Sequence, residues 1–428
     1  MHDPQVTYRS IFGIDQDPPQ WKSAFEEANA GLPSGLAEAF ERAWQNAQSL
    51  PLPHVKAEKW RWLDFSQLRL ADARVCTRPA LKLDVASQPD EGELPGACAI
   101  PRGLIITTLS EAIEQHPDLV ARLLEHANKH SPEKFQALTG ALAREGLFVY
   151  VPKGVKAGKT LTAALRSAIE PGMSLSRAII WLESGAELDL VAGWQGETHS
   201  KDPSFHLART DLILEEDSHL RFTDLATFNQ EVAPLRYNTA ELSRGAKLDW
   251  IYAAVSTSLG KHSLEVNLVG EGAEAEVSGI YFPASGQKIS VDTVQNHLAP
   301  RTRSNLLFRG AAVGDGEAIW RGMIYVDPIA QKSNGYQLDQ NLMLGEKADI
   351  KSIPGLEICA DDVSCSHGAT VGSIDATELF YLQTRGIPLA EAERLIVEGF
   401  FAEIIEQIPD EETRSRLGER LSKKFAEK

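Results

Sequence analysis

The sequence has few basic residues, few cysteines and no long apolar run, and each shortage argues against a class of protein. Among its 428 residues, Lys and Arg number 43 against 60 Asp and Glu, which gives a formal net charge of −17. Nucleic acids and anionic membrane surfaces attract basic proteins, so we expect neither as a partner. The longest apolar run, Trp250 to Val255, is far shorter than the roughly 18 residues of a membrane-spanning helix.

Four cysteines, at positions 76, 98, 359 and 365, are too few for a disulfide framework, and no two of them form a CxxC pair. The first residues of the chain lack the basic and apolar segments of a signal peptide, so we expect a cytoplasmic protein with reduced thiols. No phosphate-binding P-loop, GxSxG or HExxH motif occurs. The sequence therefore predicts neither nucleotide binding through a P-loop nor hydrolase chemistry of those two kinds.

Residues 1–146 have the pattern of a helical domain. Leu36, Phe40 and Trp44 recur every four residues, which is one apolar stripe of an amphipathic helix. Ser131 is the predicted N-cap of a later helix, which would have Pro132 at its first position and end near Gly146.

Residues 147–372 consist of short runs in which apolar and polar residues alternate. This period of two is typical of strands that bury one face. The clearest runs are 178–182, 187–191, 211–214, 220–224, 247–252 and 264–269.

A short turn sequence recurs in the same region and predicts a β-solenoid, in which the chain coils and each coil pairs with the next. Four of the five steps between its copies are 27 to 32 residues long and one is 43, which predicts a single insertion. The alternative is an antiparallel sandwich with frequent glycine turns. The six copies end at Leu188, Leu220, Leu248, Ala275, Ala318 and Ala348.

Residues 373–428 return to a helical pattern. Apolar residues recur at steps of three or four from Leu389 to Ile408, and Pro409 ends that helix. Asp410 can cap a last helix, which carries one apolar face. Two interpretations remain open: the two helices pack on each other and on the solenoid, or they present a docking face to a partner.

The densest group of potential ligands lies between Leu356 and Thr370. Alternate residues of a strand point to one side, so Cys365 and His367 would share a face with Cα atoms about 6.6–7 Å apart. Thiolate and imidazole bind zinc and iron–sulfur clusters, but a closed tetrahedral site needs about four donors. From the residues alone, this is a buried structural pair, a Cys–His catalytic dyad, or a site that another subunit completes.

Three other groups are weaker candidates for a site. His126 and His130 lie four apart on a predicted helix without a third ligand, which is more typical of a solvated helix face. The pair Asp361-Asp362 is typical of a turn or an exposed edge. Cys359 would share the face of Cys365 only if no bulge lies between them.

The run Cys365-Ser366-His367-Gly368-Ala369-Thr370 and several other segments resemble the SufB/SufD family, whose members belong to the Suf machinery of iron–sulfur cluster assembly. The run is most similar to the SufD branch. The resemblance covers nearly the whole chain and is densest over residues 305–400. The other segments are 331–342, 356–358, 361–363, 379–387 and, near the N-terminus, 52–62.

This resemblance implies a mainly β fold: a right-handed parallel β-helix over 147–372, between an N-terminal helical domain (1–146) and a C-terminal helical domain (373–428). It also implies a role as a scaffold subunit, not an enzyme. The chain would pair with a SufB-like subunit, and its C-terminal helices would dock a SufC-like ATPase. For isolated chains a homodimer through the exposed edge of the solenoid is the alternative to this heterocomplex.

Under the same resemblance, Cys365 and His367 are cluster or metal ligands at the subunit interface. They would hold a transient iron–sulfur cluster there, and the isolated chain would bind no cluster stably. Cys359 is not part of the family motif. The alternative function is that of a β-helix carbohydrate-active lyase or acyltransferase.

Overall fold

The alternating runs of the middle region form strands that coil into a two-sheet solenoid, as the repeat predicts. The computed structural model describes residues 10–87, 100–129, 131–198, 200–202, 204–255 and 258–426. Cys98 and His130 lie outside these described residues. The strands before the regular coils are β1 (Val75–Cys76), β2 (Leu81–Ser87) and β3 (Ile105–Thr108).

Each coil contributes one strand to each of two facing sheets. The strands of the first sheet are β4 (Gly146–Val151), β6 (Gly172–Leu182), β8 (Ser204–Leu214), β10 (Val232–Leu242), β12 (Leu259–Leu268), β14 (Lys288–His297), β16 (Glu317–Val326) and β18 (Asp349–Ile358). Those of the second are β5 (Lys156–Ala168), β7 (Glu187–Glu197), β9 (His219–Phe228), β11 (Lys247–Ala254), β13 (Glu274–Tyr281), β15 (Arg303–Val313), β17 (Asn334–Leu344) and β19 (Ser364–Ser373).

Within each sheet, every strand of the coils pairs in parallel with the strands two places before and after it in the chain. At the N-terminal end, β3 pairs antiparallel with β4 and β2 pairs antiparallel with β5, so these two strands cap the first coil. The strand β1 pairs in parallel with the start of β6. The main hydrophobic core lies between the two sheets, because alternate side chains of each strand point inward. The prediction of a mainly β solenoid is confirmed.

The turns from first-sheet to second-sheet strands stack in one row, and this row corrects the predicted insertion. Leu188, Leu220, Leu248 and Ala275 are register partners in successive coils, and the row continues through Ser304, Gly335 and Cys365. All of its steps are 27 to 32 residues long. Ala318 instead lies at the start of β16 and Ala348 directly before β18, both in the row of turns on the opposite side. The 43-residue step therefore marks a change from one row of turns to the other, and the predicted insertion was wrong.

Left-handed backbone at one position of each turn allows the row to stack. Gly185, Gly245 and Gly272 have φ between 65° and 72°, where the lack of a β-carbon removes the steric penalty. Each donates its backbone N–H to a carbonyl in the next turn of the row.

The N-terminal helices cover the outer face of the first sheet. They are α1 (Pro19–Asn29), α2 (Ser34–Ser49), α3 (Leu109–Gln115), α4 (Pro117–Ala127) and α5 (Lys134–Leu142), with 3-10 turns at Glu58–Trp60 and Ser66–Leu68. The predicted stripe of Leu36, Phe40 and Trp44 is buried in α2. The start predicted for α5 was wrong by two residues, because Ser131 accepts a hydrogen bond from Arg209 Nη1 at 2.7 Å instead of capping the helix.

The C-terminal helices are α6 (Ala376–Thr384), α7 (Leu389–Ile405) and α8 (Glu411–Ala426). One face of α7 and α8 packs against the outer face of the second sheet, around Phe401 and Leu421. The predicted cap is confirmed, since Oδ2 of Asp410 accepts a hydrogen bond from the backbone N–H of Thr413 at 2.7 Å. Among the described residues, no helix is long and apolar enough to span a membrane.

A buried group of three charged residues holds the N-terminal region against the first sheet through hydrogen bonds. Asp292 accepts hydrogen bonds from Lys261 at 2.5 Å and from Arg321 at 2.7 Å. The same two cations donate to the backbone carbonyl of Lys59, and Arg321 also donates to that of Glu58. This contact attaches the segment around residues 58–62, which carries part of the family resemblance, to strands near the C-terminal end of the solenoid.

Candidate functional site

Cys365 and His367 lie on β19, the last strand of the second sheet. Within the described ranges, no strand pairs with the outer edge of β19 or with that of β18, the last strand of the first sheet. Both edges therefore present unpaired N–H and C=O groups, which another chain could pair with. We call this end, formed by β18 and β19, the terminal coil.

Register places both candidate ligands on the inward face. Cys365 is the partner of Gly335 and His367 is the partner of Gln337, and both of these β17 residues are buried between the sheets. No coil follows to cover the inward face of the terminal coil, so Val371 on the same strand remains exposed. Leu356 and Ile358, the inward residues at the end of β18, are exposed as well. The site is thus at the surface, although its side chains lie on the face of the strand that is turned toward the core.

The thiol of Cys365 lies half-buried against a small apolar cluster formed by Ile324, Val326, Ala330 and Ala360. Burial raises the pKa of this thiol, although a hydrogen bond from the backbone N–H of Gly335 acts in the opposite direction. Cys365 is therefore a protonated thiol at neutral pH and loses its proton when a metal binds. His367 is exposed to solvent.

A buried polar pocket lies beneath Cys365, and sequence reasoning missed it. Inward side chains that are register partners in successive coils form columns. One such column lies on each side of the row of turns. In one column, leucines of four successive coils are followed by His297; in the other, three leucines are followed by Ala275, Ser304, Gly335 and Cys365. Small residues thus replace leucine where the imidazole enters the core. The four leucines are Leu182, Leu214, Leu242 and Leu268.

The imidazole of His297 is fully buried and has a hydrogen-bond partner at each nitrogen. Nδ1 lies 2.8 Å from the hydroxyl of Thr302, and Nε2 lies 2.8 Å from the hydroxyl of Ser304. The amide Nε2 of Gln295 donates to the same Ser304 hydroxyl at 2.7 Å. Burial lowers the pKa of His297 to about 4, so this imidazole is neutral at physiological pH.

The weaker candidates do not join this site. His126 Nε2 lies 2.8 Å from a carboxylate oxygen of Glu241, and its proposed partner His130 is outside the described residues. Cys359 is exposed at the end of β18, and Cys76 lies in β1 at the other end of the solenoid. Asp361 and Asp362 are exposed in the turn before β19, as predicted. The residues that the structure describes contain no group of three or more His, Cys, Asp or Glu side chains arranged to hold a metal.

A second exposed surface lies on the C-terminal helices. No residue of α6 is buried, and the side chains of Phe380 and Tyr381 are 67% and 57% exposed. Leu389 and Leu395 of α7, the helix that follows and contacts α6, are exposed as well. We call these four residues the α6–α7 patch. Apolar side chains exposed as a group mark an interaction surface more often than single ones do.

Comparison with known proteins gives matches over most of the chain. Residues 165–400 match the model of the SufBD core domain of the SUF system for FeS cluster assembly, and residues 90–162 match that of the SufBD N-terminal region. A curated relative from Staphylococcus epidermidis, an iron-sulfur cluster assembly SufBD family protein, is 27% identical over 310 residues, which is 72% of this chain and 66% of the relative. Relatives of the same description from Staphylococcus saprophyticus and Staphylococcus aureus are 26% identical over the same shares.

These matches do not favour a carbohydrate-active lyase or an acyltransferase. The matched part is slightly less than two thirds of the relatives' own length.

Proposed function

The chain belongs to the SufBD family of iron–sulfur cluster assembly proteins, and from that membership we propose that it is a SufD-like scaffold subunit. It holds part of a nascent cluster at its terminal coil, through Cys365 and His367, while a SufB-like subunit supplies the other ligands. The cluster is cargo, not a resident cofactor, and the protein acts as a cytoplasmic scaffold instead of an enzyme.

The observation that carries this proposal is the position of the two donors on an open solenoid end. A thiolate and an imidazole are ligands that iron–sulfur clusters accept, but two of them leave the coordination sphere incomplete. Both lie where a second subunit could pair with β18 and β19, so the interface itself can complete the site. An incomplete ligand set on each side also lets the finished cluster leave for a target protein.

The α6–α7 patch supports docking of a SufC-like ATPase by the C-terminal helices. Its aromatic side chains are of the type enriched in interfaces. The chain has no P-loop of its own, so ATP hydrolysis in the assembly is proposed to come from that partner. Because α6 directly follows β19, motion of the docked helices could reach the strand that carries Cys365.

Reconstitution of the complex with SufB and SufC partners tests the ligand assignment. We expect Cys365→Ser and His367→Ala each to lower cluster formation by about tenfold or more, because each removes a donor from an already incomplete set. The measurement is cluster absorbance after anaerobic addition of iron and sulfide. Cys359→Ser removes an exposed thiol six residues earlier, and Ser366→Ala changes the outer face of β19; both should form clusters normally. Unchanged cluster formation in both ligand variants would refute the assignment.

A second experiment tests the interface without touching a ligand. Val371→Lys places a charge on the inward face of the terminal coil, where the valine is 41% exposed. The matched control is Val269→Lys, since Val269 is 39% exposed on a turn between coils. We expect only Val371→Lys to weaken binding to the SufB-like subunit and self-association of the isolated chain, by about tenfold or more, since a charge in an interface core must be desolvated. Equal affinity of the two variants, measured by sedimentation, would contradict pairing through this end.

A further inference from the structure

The polar group beneath Cys365 departs from the pattern that this corner of the core follows in the earlier coils. Four coils fill this corner with leucine on both sides of the turn, apart from Ala275. Here His297 and Ser304 occupy those two columns, with Gln295 and Thr302 beside them, and burying such polar groups is costly unless each finds a partner. In these two columns the polar residues begin at His297, two coils before the terminal coil that carries the candidate ligands.

Gly335 opens a space that both Cys365 and His297 border. A β-carbon added to Gly335 would lie 3.1 Å from Nε2 of His297 and 3.3 Å from Sγ of Cys365. It would also lie 3.1 Å from a methyl carbon of Ile324. The backbone conformation of Gly335 is ordinary, so what the glycine provides is room, not a special φ angle. The thiol sulfur and the imidazole nitrogen thus lie within 3.3 Å of one point, and the Ile324 methyl group lies beside it.

The hydrogen-bond network favours the tautomer of His297 whose lone pair is on Nε2, because imidazole Nε2 is the acceptor within reach of the Ser304 hydroxyl. The Thr302 hydroxyl has two acceptors other than the imidazole, the Ser333 hydroxyl at 2.7 Å and the Ala299 carbonyl at 3.1 Å, so it can donate to one of them and accept from Nδ1–H. The Ser304 hydroxyl accepts from Gln295 and can donate its own hydrogen to Nε2. A histidine that binds a metal through one nitrogen commonly donates from the other in this way.

One residue of the same polar group has an unused acceptor. The carbonyl oxygen Oε1 of Gln295 is buried, and within the described residues it accepts no hydrogen bond. Its amide nitrogen already contacts the Ser304 hydroxyl that holds His297. Water bound to a metal ion is a strong hydrogen-bond donor and could satisfy such an oxygen.

We propose that Sγ of Cys365 and Nε2 of His297 bind one divalent metal ion of the ferrous type in the space over Gly335. One sulfur and one nitrogen donor suit a borderline ion such as Fe²⁺ better than Mg²⁺ or Ca²⁺. The other coordination positions face the open end of the solenoid, where water, His367 or a partner's ligands can fill them. This site deepens the proposed function and rests on it for its purpose, which is to hold iron before a cluster forms.

Metal binding at this site replaces the thiol proton of Cys365 by the metal ion and transfers no electron. The S–H bond of Cys365 breaks, its proton leaves to solvent and the sulfur forms a bond to the metal. The Ser304 hydroxyl turns away from Nε2, which then donates its lone pair to the metal. With two protein donors the ion remains exchangeable, as a transfer step requires.

Cobalt binding to the isolated full-length chain tests the site independently of cluster assembly. Replacing Cys76, Cys98 and Cys359 by serine leaves Cys365 as the only thiol, so a cobalt–thiolate absorption band reports this residue alone. We expect the band to appear on titration with Co²⁺ and to disappear in Cys365→Ser. His297→Leu and Gly335→Ala should each weaken binding by about tenfold or more, the first by removing a donor and the second by filling the space.

The choice of variants keeps the result interpretable. His297→Leu restores the residue that four earlier coils carry in the same column, so the fold should tolerate it. His262→Leu is the matched control, because it removes another imidazole that is buried between the sheets, and it should leave the band unchanged. If His297→Leu fails to fold, the NMR shift of the His297 nitrogens in the unsubstituted chain on adding Co²⁺ decides the question.

Two results would overturn the proposed site. One is a cobalt affinity, read from the absorption band, that is the same in His297→Leu as in the unsubstituted chain. The other is a band that is lost in His367→Ala but not in His297→Leu, which would make His367 the ligand. Cluster formation in the complex is measured separately. A chain that binds cobalt through both residues while its complex forms no cluster would retain the metal site and refute the proposed function.

Discussion

Asp292→Ala is expected to lower the free energy of unfolding by about 3–5 kcal/mol, because it leaves two buried cations without a counter-charge. Asp292, Lys261 and Arg321 are all buried, and the carboxylate contacts both cations. Burial by itself raises the pKa of the Asp292 carboxyl, but the Lys261 ammonium and the Arg321 guanidinium outweigh it, and the pKa lies below its usual range. The carboxylate therefore remains charged at neutral pH.

The measurement is urea unfolding of the variant and of a surface control. Asp249→Ala removes a carboxylate that lies 2.8 Å from His219 but is largely exposed, and such a pair contributes less than about 1 kcal/mol. Hydrogen exchange adds a local readout: backbone amides around residues 58–62 should exchange faster in Asp292→Ala, since Lys261 and Arg321 hold that segment. Equal losses in the two variants would show that the buried charges do not clamp the N-terminal region.

The second large effect is a dependence of stability on pH that comes from Asp339. This residue is buried between the sheets, where its carboxyl accepts hydrogen bonds from Tyr281 at 2.9 Å and from Asn341 and Ser352 at 2.6 Å. Burial raises the pKa of Asp339 to about 6, although the three hydrogen bonds oppose the shift. Between about pH 4 and pH 6, the Asp339 carboxyl of the folded state therefore holds a proton that the unfolded state has already lost.

The sign of the effect follows from this difference in bound protons. The contribution is fully present below the unfolded pKa, near 4, and is lost as pH rises through about 6. The shift corresponds to about 3 kcal/mol. In Asp339→Asn the group cannot ionise, so the fall in unfolding free energy between about pH 4 and pH 6 should be smaller by that amount than in the unsubstituted chain.

The control for this experiment is Asp361→Asn, which changes an exposed carboxylate in the turn before β19. Its unfolding free energy should follow that of the unsubstituted chain at every pH. Parallel curves for Asp339→Asn and the unsubstituted chain would mean that Asp339 ionises alike in the folded and unfolded states.

Much of the solenoid could be predicted because the alternation of apolar and polar residues in a strand shows which face of that strand is buried. Alternation at 187–191 and 220–224 marks inward and outward residues in β7 and β9, and both runs lie in strands. The repeat spacing then predicted coils. It could not separate the two rows of turns, because glycine-containing turns of similar sequence occur in both. That ambiguity produced the insertion that the structure does not contain.

The candidate site was predictable only in part. Cys365 and His367 are two residues apart, so strand geometry alone places them on one face. His297 is 68 residues before Cys365 in the chain, and no local pattern connects the two. A leucine column interrupted by histidine would have been the signal, but it becomes visible only when the register of successive coils is known.

The sequence by itself determined the local features of this protein: strand periodicity, terminal helices and the pair of donors on one strand. Only the tertiary structure decided that the pair lies on an uncovered end and above a buried imidazole. The physical reason is that alternation depends on neighbouring residues, whereas register depends on the length of each coil and its turns. A shift of one residue in the pairing of β19 with β17 would turn Cys365 to the other face of the sheet and away from His297.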